Sequence, residues 1–531
     1  MDLTPLSQRG QILKKIEPWF YFVSLLCVGL PLCLLTADYG AMPQAVFSHD
    51  TPAIYDAGWR AYCGIKPHVD FYSPLGPIIY LYVATGFVLF GLNVDSLAYI
   101  NALSLAVLLC FTWFSLHNRI PGFWLFWVSL LVGLCFMAPH PLRYSYWMSS
   151  YAMLYNRQGY SLLMLIAFLL FSPKGKASSF EIKSCLFFSG FVLAVLFFLK
   201  ISYFIAGFFM TICFFLIDGL SSSCILFVIG GFSTVALPML AYLNFDLAPM
   251  LCDLTIASKA KQLFNNNIQM QKALFDLSIP IAFAAFQTWV LGRYVGRKAQ
   301  RNYDVLFFIF MGCAIFITLT NCVWGDVNDN PLLAAFLILI VIRTLNAVSF
   351  ASWQKIPFDC KAMLCLSLVY VASYVTLDIL SITYRYPIPS SVNRLDVPLA
   401  KDLILYPDSA GPRIVQKLND GFQLIRRNGA AHAAVMSFDF TSIFSFALQS
   451  NPCGGSVIWS TANEFSRTSY PQAARVFNKV DFLLVPLNPE EQNSFEDFEA
   501  CYGRYIDSNF QLVDKSKEWL LMKRRVDWRK S

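Results

Sequence analysis

Charge is what this sequence has least of. Only 14% of its 531 residues are Asp, Glu, Lys or Arg, while 57% are hydrophobic. An ordinary soluble domain carries roughly 25% charged residues, so a water-soluble core of this length is excluded. Metal-type cysteine spacing is also missing. No C-x-x-C pair occurs among the 15 cysteines, which argues against a structural zinc site. Most of the cysteines (Cys27, Cys33, Cys110, Cys135, Cys185, Cys213 and Cys365) lie inside apolar runs, where a thiol serves as a small hydrophobe rather than as part of a disulfide framework. Cys453 and Cys501 are the exceptions in the C-terminal tail, and they can bridge if that tail lies outside the cytoplasm.

What is present is a series of apolar runs, all but a short fourth one long enough to cross a hydrocarbon core of roughly 30 Å as a helix. They predict eleven spans at about 19–37, 96–115, 121–138, 160–172, 184–200, 202–218, 223–243, 277–293, 304–321, 331–349 and 361–382. The first is too long for a typical signal-peptide core and is read as a span. Basic residues gather in alternate loops: Arg9, Lys14 and Lys15; Lys174, Lys176 and Lys183; Arg293, Arg297, Lys298 and Arg301. By the positive-inside tendency these loops and the N-terminus face the cytoplasm, and an odd number of spans then puts residues 384–531 outside. The run 76–92 would spoil this alternation as a span, so it is read as a helix at the outer membrane surface. The net charge of +7 reports topology here and does not point to nucleic acid.

The tail is different material. Charged residues return after Tyr384, and short apolar runs at 435–440, 480–487 and 519–525 predict strands. Helical stretches are expected at 398–405, 412–427 and 493–506. The expectation is a polytopic α-helical membrane protein (1–383) followed by a soluble α/β domain (384–531).

Chemistry concentrates in the first outer loop, 38–75, which carries Asp38, His49, Asp50, Asp56, Arg60 and Asp70. The pair His49-Asp50 precedes a short helix over Pro52–Tyr62, then Gly64, then His68-Val-Asp70-Phe-Tyr-Ser-Pro74-Leu-Gly76-Pro77. This arrangement resembles the first outer loop of GT-C glycosyltransferases, among them the protein O-mannosyltransferases and lipid A aminoarabinose transferases. There an acidic pair opens the loop, and an Asp-x-x-x-Pro-x-Gly-Pro turn leads into a membrane-surface helix. Asp50 falls on the first acid, Thr51 departs from the second, and Asp70, Pro74, Gly76 and Pro77 match the turn. The resemblance implies transfer of a sugar from a polyprenyl-phosphate donor to a lipid, polysaccharide or protein acceptor at the outer face of a bacterial inner membrane.

On that reading Asp50 is the catalytic candidate, because a positioned carboxylate can take the acceptor's proton. The competing role is an N-cap for the helix beginning at Pro52. His49 either assists Asp50 or, more simply, is a solvated loop histidine. Asp70 either meets substrate or, more simply, orders its turn. Asp56 and Arg60, four residues apart, are expected to form a surface ion pair. In the second outer segment, 139–159, Arg143, Asn156 and Arg157 can bind phosphate or sugar hydroxyls, and Trp147 can stack on a sugar or belong to the membrane belt. That segment has no acid, which disfavours a two-carboxylate metal site; no cofactor is expected. Lys200 sits between apolar runs at a tight outer turn, where a lysine is costly unless it snorkels or meets an anion such as a lipid phosphate. The outer loop 244–276 is expected to be a mobile cover, and the Asp326/Asp329 loop a turn. Two other classes compete: a transporter or flippase of lipid-linked saccharides, which should show related halves and mid-membrane charges that are not evident here, and a non-catalytic scaffold.

Overall fold

The computed structural model describes residues 5–142, 144–219, 222–260, 267–321, 330–348, 356–388, 394–407, 411–461 and 464–525. The membrane part consists of α1 (Pro5–Tyr39), α2 (Asp50–Tyr62), α3 (Ile78–Phe90), α4 (Ser96–Leu116), α5 (Gly122–Met137), α6 (Leu154–Phe171), α7 (Ser179–Leu199), α8 (Ile201–Asp218), α9 (Ser222–Tyr242), α10 (Ala248–Ala260), α11 (Asn267–Val295), α12 (Arg297–Asn321), α13 (Pro331–Ala347) and α14 (Phe358–Thr383). A helix occupies each of the eleven runs read as spans. Eight are long and apolar enough to cross a membrane; α5 and α13 are shorter apolar helices. The remaining helix, α6, starts earlier than its apolar run because Asn156, Arg157 and Gln158 are helical and buried. Buried polar partners, not hydropathy, set its first turn. At 13 residues, α3 rises only about 20 Å and is too short to cross.

Close helix crossings rely on small residues, as is usual where lipid removes the hydrophobic drive for helices to associate. A Cβ on Gly231 of α9 would lie 1.7 Å from the Phe187 carbonyl oxygen of α7. The Asp-x-x-x-Pro-x-Gly-Pro turn uses the same device: a Cβ on Gly76 would meet the Phe198 carbonyl oxygen at 2.0 Å. The Gly76 N–H instead donates to Leu199 O at 3.1 Å, which fastens the loop to the end of α7.

The C-terminal region builds a four-stranded sheet in the order β1-β2-β4-β3, from β1 (Val435–Ser437), β2 (Phe482–Pro486), β3 (Phe510–Lys515) and β4 (Trp519–Arg524). β1 and β2 run parallel, and the other two pairs are antiparallel. The helices are α15 (Gly411–Arg427), α16 (Phe444–Leu448), α17 (Ala473–Val476) and α18 (Gln492–Asn509). Two sequence expectations change here. The helix expected at 398–405 is a single 3-10 turn, Pro398–Ala400, and Leu405 then bridges to Gln44 of the first loop. β3 was not expected at all. Four of its six residues are exposed at the sheet edge, so it shows no apolar alternation. Cys453 and Cys501 are both free thiols, so the bridge allowed by sequence does not form; burial pushes the Cys453 thiol up to about 12.

The C-terminal region sits directly on the first outer loop. Phe446 of α16 stacks on Tyr55 and Phe87 at ring distances of 5.4 and 5.3 Å. Trp59 donates its indole N–H to Ser450 O at 3.1 Å, and the Arg60 guanidinium donates to Gly455 O at 2.9 Å. The expected surface pair Asp56–Arg60 is thus corrected. Its atoms meet at 2.6 Å with side chains only 2–3% exposed, because the tail covers them.

Candidate active site

The loop before α2 is fixed by its own polar residues. Gln44 carries most of the burden: its backbone pairs with Ile404 and Tyr406 (2.8 and 3.0 Å). Its side-chain oxygen accepts from Thr51 Oγ1 at 2.7 Å and from Tyr151 N at 2.9 Å. Phe47 adopts a left-handed backbone (φ 48°), as does Met153 (φ 55°) just ahead of α6. Such conformations cost of order 1–3 kcal/mol in a non-glycine residue and gather at functional sites.

This framework puts Asp50 at the first turn of α2 and His49 immediately before it. Asp50 does not act as a side-chain cap of α2. Its Oδ1 accepts the indole N–H of Trp459 at 2.9 Å, and His49 Nε2 lies 3.8 Å from the same oxygen. On its other side, His49 Nδ1 is 2.7 Å from the Tyr406 hydroxyl and 3.3 Å from Glu490 Oε1. The three ionisable side chains remain partly open, with relative exposures of 17% for His49, 13% for Asp50 and 21% for Glu490. Burial raises the Asp50 carboxyl above the ordinary carboxylate range; His49 and the Trp459 N–H counter this, while Glu490 and Glu491 add to it. For His49, burial favours the neutral ring, but the Glu490 hydrogen bond and the Asp50 charge outweigh it, so the imidazole is held above its usual value.

The structure brings two further sequence candidates together. Lys200, between α7 and α8, donates to Asn156 Oδ1 at 2.8 Å and to Asn321 Oδ1, at the end of α12, at 2.6 Å. The ammonium also lies 5.0 Å from the ring centre of Tyr155 and 5.8 Å from that of Tyr203.

Other candidates are employed elsewhere. Arg157 is turned into the bundle: its guanidinium meets Asp378 Oδ1 of α14 at 2.5 Å and donates to His140 O at 2.8 Å, with 3% of the side chain exposed. An arginine so enclosed is a structural tie between α6 and α14, not a free phosphate ligand. Asp70 Oδ2 accepts from Lys66 N at 2.7 Å and orders its turn. Trp147 is exposed. Arg143 and the Asp326/Asp329 loop lie outside the described residues. Of the segment 244–276, expected to be a mobile cover, α10 is tied down through Asp253. That carboxylate takes both Arg475 guanidinium nitrogens (2.6 and 3.0 Å) and His68 Nδ1 (3.0 Å).

Sequence reasoning missed Glu490. The signal was available: Pro489-Glu490-Glu491 follows β2 and precedes α18, and acids in the loop after a parallel strand are placed for chemistry. Among the described residues, no group of three His, Cys, Asp or Glu side chains converges to hold a metal ion.

No protein-family model matches this sequence, and no curated protein matches it either. Among solved structures, the chain is similar to ArnT from Cupriavidus metallidurans in two states. The apo structure gives a TM-score of 0.51 at 11% identity, covering 94% of this chain and 97% of that one. The structure bound to undecaprenyl phosphate gives 0.50 at 10% identity, covering 95% and 98%. From the first span to the C-terminal sheet, the chain shares its fold with the ArnT structures.

Proposed function

We propose that this chain is an inverting glycosyltransferase of the cell inner membrane, moving a hexosyl or pentosyl unit from a polyprenyl-phosphate donor to a lipid, glycan or protein acceptor. One observation carries the reading. Asp50 is a largely buried carboxylate with a raised pKa at the first turn of α2, bonded by a neutral indole N–H. The ArnT fold with undecaprenyl phosphate bound supports a polyprenyl phosphate as the leaving group.

In this mechanism the acceptor hydroxyl gives its proton to Asp50 as its oxygen attacks the anomeric carbon from the face opposite the donor phosphate. The bond from that carbon to the phosphate oxygen breaks, and the electron pair leaves with the polyprenyl phosphate. Lys200, with Asn156 and Asn321, is suited to hold the departing phosphate, because a positive charge at partial burial strengthens as negative charge develops. Glu490 and Tyr406 hold the His49 ring beside Asp50, so His49 and Glu490 are positioning residues. The basic clusters of the alternate loops support a cytoplasmic N-terminus and reaction at the outer face. The residues 384–531 then form an outer domain that completes the acceptor side.

The test uses purified protein in liposomes with radiolabelled undecaprenyl-phosphate sugars and membrane extract as acceptor. Label should transfer with wild type and not with Asp50→Asn, while donor binding persists in both. Saturable donor binding without transfer from any sugar would overturn the enzyme reading in favour of a transporter.

A further inference from the structure

The end of α6 remote from Asn156 carries a second polar centre. Across its 18 residues the helix rises about 27 Å, so this centre lies at the opposite end of the bundle from Asp50. A cavity of about 300 Å³ opens there between α6, α7, α8, α12 and α13.

Its charged lining consists of Arg119, Lys174, Asp218 and Arg343. Arg119, from the turn between α4 and α5, donates to Leu169 O at 2.6 Å and to Pro173 O at 3.1 Å. Arg343 of α13 donates to Phe171 O at 2.6 Å. Both guanidiniums therefore stand on the carbonyl end of α6. One cation is enough to complement a helix C-terminus, whose dipole amounts to about half a charge. Asp218, the sole acid of the lining, lies 3.5 Å from Lys174. Counting these four side chains, the cavity holds an excess of positive charge.

A second observation points to a ligand. Ser172, a residue only 4% exposed, also lines this cavity, and its hydroxyl, closed off from solvent, has no hydrogen-bond partner among the described residues. A buried hydroxyl left unbonded is costly, and a turn of this side chain toward an anion seated between the two guanidiniums supplies the missing acceptor. The amides of Asn302 and Asn346 also line the space.

The apolar wall says which anion. Ile217 of α8 both lines the cavity and is 42% exposed, and the neighbouring Leu216 is 71% exposed on the same apolar helix. The cavity thus reaches the lipid-facing side of α8, where acyl chains can follow a headgroup. Basic pockets between membrane helices are a recognised setting for anionic headgroups.

We infer that this cavity binds the phosphate headgroup of an anionic membrane lipid, with Arg343 and Arg119 on the phosphate and Ser172 donating to it. The site is independent of the sugar-transfer centre.

The test compares full-length protein in nanodiscs of phosphatidylglycerol and of phosphatidylcholine, with lipid retention read by native mass spectrometry and melting temperature alongside. Arg119 also ties two loops together, so the informative variant is Arg343→Gln. Lys298→Gln, exposed at the same end, controls for diffuse charge. Wild type should retain phosphatidylglycerol and melt higher with it. Arg343→Gln should weaken that retention about tenfold, and Lys298→Gln should leave it unchanged. Equal retention of both lipids, or equal losses in the two variants, would overturn the proposal. Saturable stabilisation by inorganic phosphate with no preference for phosphatidylglycerol would assign the cavity to a free phosphate instead and overturn the lipid reading.

Discussion

Asp50 and Asp56 belong to the same helix and have opposite fates. Asp56 is clasped by Arg60 through two nitrogens, at 2.6 and 3.0 Å, under the cover of the C-terminal region. Asp253 and Asp378 are held the same way, by Arg475 and Arg157. In each case a guanidinium clamps the carboxylate, and for Asp253 and Asp378 the pair joins segments distant in sequence. Asp50 has an indole N–H and an imidazole instead, and burial raises its carboxyl. A carboxylate locked to arginine is a poor proton acceptor. One held loosely, largely buried and with raised proton affinity is suited to be a base. The arginine-clamped acids hold the fold together, and Asp50, held without a guanidinium, is the acid we propose reacts.

That contrast can be broken most sharply at Asp50. Asp50→Asn should lower the transfer rate about 10³-fold, with the melting temperature at pH 7 unchanged or raised. The sign follows from the pKa direction. A carboxyl whose folded pKa is raised contributes stability below its unfolded pKa and loses it as pH rises through the folded value. At neutral pH an amide is therefore no worse for stability. A clear fall in melting temperature would return Asp50 to the structural class.

Arg60→Ala should do the reverse. Leaving Asp56 buried without its partner costs about 3–5 kcal/mol, read as a lower melting temperature and faster proteolysis between the loop and the C-terminal region. Loss of transfer with unaltered stability would place Arg60 in the reaction instead.

Lys200→Met should weaken donor affinity about 10- to 100-fold, the worth of a charge-assisted hydrogen bond, with a smaller effect on turnover. Arg157→Met, by contrast, should lower stability and spare the donor Kd of whatever folds. A matching change in Kd for both would erase the distinction between them.

Glu490→Gln should have the smallest effect, about a tenfold loss in kcat with little change in KM, together with a lower His49 pKa by NMR of the imidazole. The pH profile of the wild type sharpens the same point. Because Asp50 must be ionised to accept a proton and its carboxyl is raised, activity should fall on acidification at a pH above the ordinary carboxylate range. An acid limb at the usual carboxylate value would contradict the assignment.

Much of this was legible in the residue order. Periodic apolar length alone locates the spans, because a helix in lipid satisfies its own backbone wherever it lies. Three strands were legible from apolar runs, but β3 was not, since its edge position leaves most of its side chains in water. Asp50 and the turn at Gly76 stood out by pattern. Arg157 misled for a physical reason: a basic residue beside a membrane helix reads the same whether its counter-ion is a substrate phosphate or Asp378, far along the chain. Asp56 and Arg60 misled likewise, as helical spacing predicts the pair and says nothing of the tail that buries it.

The sequence by itself determined the membrane class, the spans and the one loop where acids gather, because these depend on local hydropathy and spacing. Only the tertiary structure decided which carboxylates are neutralised and which is left with a raised proton affinity. Trp459 and Glu490 reach Asp50 and His49 from the other end of the chain, and the pKa of a group is set by whatever surrounds it in space.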